Sequence, residues 1–486
     1  MNTKKSSSQT VYTPLPIREG QGGGSSSLLG WGVGVLLSCF VLSSCGLYKN
    51  YERPADITID GLYGQSEQAG DEQGMGAIGW RTFFTDPTLQ GLIEKGLAQN
   101  ASMQQIDIQI REAQEYLTVA KLAYVPSLVF TPQGQMSSWD WAAPSKTYTF
   151  PITASWQIGS LGSLRNAKKQ ADVAVAQTQV ARQAVQQSLV ANIANLYYTL
   201  CMLDAELAIS EQTAANWRES VERTRQLMEA GRSNKAALAQ TEANCYTVEA
   251  SVLDLKRSIT EAENALCTIL GETPHHIDRQ SLSTFTVPGQ VNTGVPFALL
   301  SNRPDVKQAE LKLASAFYGV NIATSAFYPS LNISGTLGFT NSAGTMVVNP
   351  GKWIWNAVAG LTQPIFMNGR LRAQKRVAVM QQEEAKIGFQ QQLIAAGNEV
   401  NTAMVKLQTL QAKSALYDGQ ITALNDAVAA TEALYTNNVS RSVNYLNVLT
   451  AQTGLLQAQL GQISNKLQTV QAAIELYQAL GGGAAE

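Results

Sequence analysis

The chain has little with which to hold a metal or run hydrolytic chemistry. It carries two histidines and five cysteines in 486 residues. His275 and His276 are adjacent, follow Pro274 and have only Asp278 nearby as a further ligand, which reads as a solvated loop. Cys201, Cys245 and Cys267 fit no zinc spacing and are odd in number, so they read as small buried apolar residues, with a single bridge among them left open. A phosphate-cradling glycine loop, a nucleophile elbow and a paired metal motif are all missing. No cofactor, no bound metal and no enzymatic activity are expected. An excess of one charge is missing too: 35 basic residues face 37 acidic ones, which excludes the electrostatic footprint of a nucleic-acid partner.

A long hydrophobic run is also absent. The one extended apolar stretch, Leu28 to Ser44, is interrupted by Gly30, Gly32 and Gly34 and falls short of the ~20 residues a spanning helix needs. With Lys4, Lys5 and Arg18 ahead of it, it reads as an export signal covering residues 1–44. Leu42-Ser43-Ser44-Cys45 resembles a bacterial lipobox, which implies cleavage before Cys45 and lipidation of that residue. Residues 45–79 lack apolar periodicity and read as a lipidated, extended linker.

Proline is absent from Ile152 to Thr273, and Gly231 is the only glycine between residues 163 and 270. Two very long helices are therefore free to form over about 163–271. Leu189, Ile193, Leu196, Leu200, Leu203 and Leu207 recur at spacings of 4 and 3, the seam of a coiled coil. Upstream, Asp86-Pro87 is a helix N-cap followed by a first-turn proline, and the pattern predicts one helix from Pro87 to about Tyr124. Between them, about 127–158, aromatic, β-branched and turn residues predict a hairpin with strands near Ser127–Ser137 and Thr147–Ile158.

The whole plan then recurs. Repeat 1 occupies 80–290 and repeat 2 occupies 291–486, the latter with a helix at about 304–328, a hairpin at about 330–365 and long helices at about 369–481. Gly162-Ser163-Leu164-Arg165 and Gly369-Arg370-Leu371-Arg372 lie 207 residues apart, and the same offset carries Ile193 to Val400, Leu200 to Leu407 and Leu203 to Leu410. Leu270-Gly271 pairs with Leu480-Gly481 at 210, so three residues are inserted in the second half, and the turn joining its long helices is the natural place.

Two hairpins give four strands, whose edges cannot stay unpaired in hydrocarbon, so the chain must oligomerise. Three copies supply 12 strands, a number suited to a closed outer-membrane barrel. Trp139, Trp141, Tyr148, Trp156, Trp353 and Trp355 in or beside the hairpins are placed for an interfacial belt. Away from the seam the helices carry Ala, Gln, Asn, Ser and Thr, a wet but uncharged face suited to the wall of a water-filled tunnel.

The segments FFTDPTLQGLIEKGLAQN, SNRPDVKQAELKLASA with AFYPSL, LTQPIFMNGRLRAQ, YLNVLTAQ and LYQALGGG resemble the TolC-like outer-membrane factors, and within them the NodT/OprM-like lipoprotein branch that serves resistance-nodulation-division efflux pumps. The resemblance covers about Trp80 to Gly483. It implies a mostly α fold with a membrane β-barrel portion, a homotrimer whose 12-stranded barrel continues into a periplasmic α-helical barrel, and a tunnel closed at its inner tips. The implied partners are a periplasmic membrane-fusion adaptor, an inner-membrane RND transporter and outer-membrane lipid. The tips fall at the Gly231 and Arg441 turns, which makes Arg232, Asn234, Arg441, Asn444 and Asn447 candidates for gating or adaptor contact. The resemblance also departs here: many relatives place acids near the positions of Asn447 and Thr450, where they form an anionic constriction, so a cation-binding ring is not expected in this chain. Two other readings stay open from sequence: the outer duct of a type I protein secretion system, and a periplasmic coiled-coil scaffold lipoprotein that forms no pore.

Overall fold

The computed structural model describes residues 48–54, 78–160, 162–281, 303–343, 346–436 and 445–483. Residues 48–50 belong to a short N-terminal unit, and Tyr51–Glu486 form the body.

In the first half a short helix α1 (Trp80–Phe83) precedes α2 (Pro87–Gln99) and α3 (Ala101–Leu122), then strands β1 (Ser127–Phe130), β2 (Gln133–Ser137) and β3 (Ser145–Ser160), then helices α4 (Ser163–Glu229) and α5 (Lys235–Leu270). The second half has α6 (Pro304–Ser325), β4 (Ser330–Ala343), β5 (Met346–Thr362), α7 (Arg370–Thr436) and α8 (Tyr445–Ala479). The long helices α4 and α7 are both 67 residues, roughly 100 Å, and start 207 residues apart. Helices α5 and α8 start 210 residues apart, so all three inserted residues fall between Thr436 and Tyr445. Glycine opens both long helices from a left-handed conformation, Gly162 at φ 83° and Gly369 at φ 78°, a backbone that side chains with a Cβ resist.

Asp86 caps α2 as the sequence predicts, its Oδ1 accepting from Thr88 N at 2.8 Å. The single helix expected from Pro87 to Tyr124 is instead broken at Asn100. The Asn100 side-chain oxygen accepts from Ser102 N and Met103 N, restarting the chain as α3, while its Nδ2 donates to the Ile269 carbonyl at 2.8 Å. Apolar spacing runs unbroken across this point, and the interruption is set by a contact with the end of α5, 169 residues away.

The strand expected at 127–137 is likewise split, because Pro132 has no N–H to donate and faces a β3 that contains Pro151. Its register survives: Phe130 lies opposite Ile152 and Gln133 opposite Thr149. All neighbours are antiparallel, in the order β1/β2, β3, β4, β5, so the two hairpins of the duplication sit side by side and β1/β2 and β5 form the edges. At the β4 bulge between Thr340 and Ser342, the Asn341 side chain stands in for the lost ladder, accepting from Tyr148 N and donating to the Lys146 carbonyl at 2.9 Å.

The core lies where the helices of both halves cross. Ile193 with Val400, and Leu200 with Leu407, are fully buried, and Leu203 with Leu410 nearly so, which places the duplicated seam at the centre of the molecule. Small residues Ala194, Ala396, Ala403 and Ala473 let the helices approach closely. Phe83 stacks on Tyr477 with ring centroids 4.1 Å apart, and Tyr477 Oη donates to the Ile78 carbonyl, which pins the closing LYQALGGG segment to the start of the body. Cys201, Cys245 and Cys267 are buried and free.

Candidate functional site

The strand register sorts side chains onto two faces. Leu337 lies opposite Ile152 and Trp355, Phe339 opposite Phe150 and Trp353, and Ile333 opposite Trp156 and Ala359. These positions share one face, because successive side chains alternate. At the end remote from the helices, Tyr148, Phe150, Phe339 and Trp353 form an aromatic group with centroids 5.8 to 6.2 Å apart. Such a face suits lipid with a belt at its rim.

The opposite face is mostly polar, with Val129, Ile354 and Val358 as apolar members. Thr153 and Thr336 share a hydroxyl hydrogen bond at 3.3 Å, Ser155 lies opposite Ser334, and Gln157 opposite Asn332. Thr336 continues across to Asn356, and Thr340 to Lys352. Apart from Lys352, the polar side chains named on this face are uncharged hydroxyls and amides.

Among the described residues both sheet edges are open in one chain. On the β1 edge Leu128, Val129 and Phe130 are exposed, and on β5 Trp353, Trp355 and Leu361 are 76%, 81% and 71% exposed. A single chain that leaves this much apolar surface uncovered must meet lipid and further strands.

Two charged nodes tie the helices together. Arg303, 6% exposed, forks onto Asp305 at 2.8 and 3.0 Å, reaches Glu399 at 2.5 Å and donates to the Ala479 carbonyl at 2.7 Å, which joins α6, α7 and the end of α8. Burial alone would raise the Asp305 carboxyl, but Arg303, Val306 N–H and Gln392 hold it below its ordinary value. In the first half, Arg279 pairs with Asp204 at 2.5 and 2.8 Å and with Glu263 at 2.6 Å. Burial of Glu263 is again outweighed, here by Arg279, the Ile277 N–H and His276, and its carboxyl is held low. His276, read from sequence as solvated, is exposed but anchored to Glu263 at 2.8 Å. Tyr197 Oη donates to Asp86 at 2.5 Å and accepts from Gln280 N, and burial with the Asp86 bond drives its phenol far above the usual range.

Of the gate and adaptor candidates, Arg232 and Asn234 occupy the turn between α4 and α5. Gly231 at φ 71° ends α4, and Asn234 caps α5 through Ala237 N at 2.8 Å. Asn447 lies in the first turn of α8 and is exposed, two residues before Leu449, which packs with Ala214 and Trp217 of α4. Arg441, Asn444 and Cys45 lie outside the described residues.

Sequence reasoning missed a docked segment within the expected linker. Arg53 forks onto Glu310 at 2.8 and 2.5 Å and lies over the Phe389 ring, and Tyr51 sets its ring edge-on to Phe317 while its N–H donates to Tyr318 Oη. So short a segment carries no periodicity, and nothing local announced it. The two-faced alternation of LNISGTLGF, by contrast, was there to be read.

A helix-dominated chain that contributes antiparallel strands with one apolar and one polar face, and leaves both sheet edges open, is a protomer of an outer-membrane channel. Residues 92–272 and 295–482 match the family described as "Outer membrane efflux protein". The chain is 25% identical to the cation efflux system protein CusC of Escherichia coli over 459 residues, covering 91% of this chain and 97% of that protein. It is 24% identical to the toluene efflux pump outer membrane protein TtgC of Pseudomonas putida over 465 residues, 92% of this chain and 94% of that one. A crystal structure of CusC superposes with a TM-score of 0.81 at 25% identity, over 90% of this chain and all of the other. The chain belongs to the outer membrane efflux protein family, and it is an outer-membrane channel component of an efflux system.

Proposed function

We propose that three copies close into a 12-stranded barrel whose lumen is the polar strand face, continuous with a tube of long helices, and that this duct passively releases small molecules. An inner-membrane RND transporter drives the flow, and a periplasmic membrane-fusion adaptor joins it to this chain at the turns carrying Arg232, Asn234, Arg441, Asn444 and Asn447. Residues 1–44 are removed and Cys45 is acylated as an auxiliary outer-membrane anchor. The observation that carries the reading is the four-strand-wide sheet with two open edges and two chemically distinct faces, which no soluble scaffold needs. The relatives favour efflux over protein secretion, since CusC is named for cations and TtgC for toluene.

Purified protein should run as a heat-labile trimer in detergent and conduct in planar bilayers. A heat-insensitive band of monomer mass with no conductance would reject the duct. Cys45→Ala behind a conventional signal should still give membrane-inserted trimers, and a fully periplasmic product would reject both the barrel and the auxiliary role of the lipid.

A further inference from the structure

Charge is almost absent from the strands. Among their described residues the only ionisable side chains that carry charge at neutral pH are Lys146 and Lys352, and no carboxylate lies on any described strand. The two lysines differ in parity. Lys146 lies opposite Met136 and shares the face of Tyr148, Phe150 and Ile152, the apolar side. Lys352 lies opposite Thr340, which lies opposite Thr149, and shares the face of Asn356, Thr336 and Thr153, the polar side. It is exposed and sits at the end of the sheet remote from the helices, next to the β4 bulge. Among the described residues, the remaining charge at that end is Asp140, in the turn between β2 and β3.

We propose that Lys352 is a selectivity-determining residue of the exit. The proposal rests on the trimeric duct, in which the three chains place three ammonium groups on the lumen wall near the outer mouth, in a ring otherwise lined by hydroxyls and amides. A ring of fixed positive charge in water concentrates anions and repels cations. The described strand lining has no carboxylate to cancel it. The outer mouth therefore favours small organic anions, such as carboxylates and sulfonates, over cations of the same size, while neutral solutes pass unaffected. The position is well suited to this. Thr340, its cross-strand neighbour, is held by its own bonds to the Tyr148 carbonyl and Ser342 N–H, both at 3.0 Å, so the lysine faces a fixed wall.

The test is the reversal potential of the full-length trimer in planar bilayers under a KCl gradient. Lys352→Gln should lower the anion-to-cation permeability ratio of the wild type by about two- to tenfold, the range expected for a few charges acting across water near the Debye length. Lys352→Glu should lower it further and Lys352→Arg should leave it unchanged. The difference between wild type and Lys352→Gln should shrink in molar salt. Lys146→Gln, on the other face, should leave the reversal potential where it is. Conducting trimers whose selectivity ignores Lys352→Gln and Lys352→Glu would overturn the proposal and leave the duct standing. An equal shift from Lys146→Gln would overturn the assignment of faces. A trimer that never conducts, even with the turns at residues 230–234 and 437–444 mutated open, would reject the duct reading and the proposal with it.

Discussion

Replacing Arg303 with methionine should loosen the end of α8 while leaving the first helical pair unchanged. The substitution keeps most of the side-chain volume and removes the fork. The Ala479 carbonyl loses a buried charged donor, which costs about 1.5–3 kcal/mol. Asp305 and Glu399 are 40% and 52% exposed at the side chain, so water can replace much of what each ion pair supplied, and each adds no more than about 1 kcal/mol. The sum is about 1.5–5 kcal/mol, or roughly 10- to 4,000-fold in a local opening constant. Amide hydrogen exchange of Leu480, Gly481 and Gly482, whose N–H groups donate to Leu476, Gln478 and Tyr477, should quicken by that factor. Amides of Leu266 to Leu270 serve as the internal control. Arg303→Lys keeps the charge but not the fork and should fall between. Acid provides an independent check. The Asp305 carboxyl is held below its ordinary value, so its stabilisation is complete above about pH 4, the range of an unfolded aspartate, and is lost as pH falls through the lower folded value. That acid-dependent loss should shrink in Arg303→Met, where only the Val306 N–H and Gln392 still hold the carboxylate. Protection at residues 480–482 within threefold of wild type would refute the account.

Tyr197→Phe removes the donor to Asp86 and the acceptor for Gln280 N, and should cost about 1–3 kcal/mol, read as a lower urea midpoint of the helical signal. Asn100→Ala removes the cap that restarts the chain as α3, and the amides of Ser102 and Met103 should exchange about fivefold faster, matching a cap worth ~1 kcal/mol. Burial pushes the Cys201 thiol up to about 12, and Cys201 and Cys267 are 3% and 1% exposed. A neutral maleimide at pH 7 should therefore leave both unmodified until the protein is denatured. Labelling of the native protein at the rate of a free thiol would contradict their burial.

The parts legible in the sequence were those written in repetition. A 3-4 seam repeated at a fixed offset survives any detail of packing, and so the buried pairs Ile193/Val400 and Leu200/Leu407, and the position of the inserted residues, could be read in advance. The hairpin limits were close for the same reason, since turn chemistry is local. What escaped were features decided by distant partners. The break at Asn100 depends on Ile269, and the Tyr51–Arg53 clip depends on residues more than 250 positions away. Arg303 lay within the segment SNRPDVKQAELKLASA, yet its purpose lay in Glu399 and Ala479, which no spacing rule connects to it. For the candidate site, the polar and apolar alternation of the strands was visible, but assigning Lys352 to one face and Lys146 to the other required the register across the bulge.

The placement of the inserted residues has a consequence for symmetry. A threefold assembly of a duplicated chain presents six helical pairs, and with α4 and α7 equal in length the wall can approximate a sixfold tube. Its tips cannot. In the proposed trimer they would alternate between AGRSN, residues 230–234, and NNVSRSVN, residues 437–444. Each contains an arginine and ends in an asparagine directly ahead of the next helix, so the chemistry offered is similar while the loop offering it differs in length. A partner ring of six identical subunits would meet three sites of each kind, and would have to bind them unequally or flex to bind them alike.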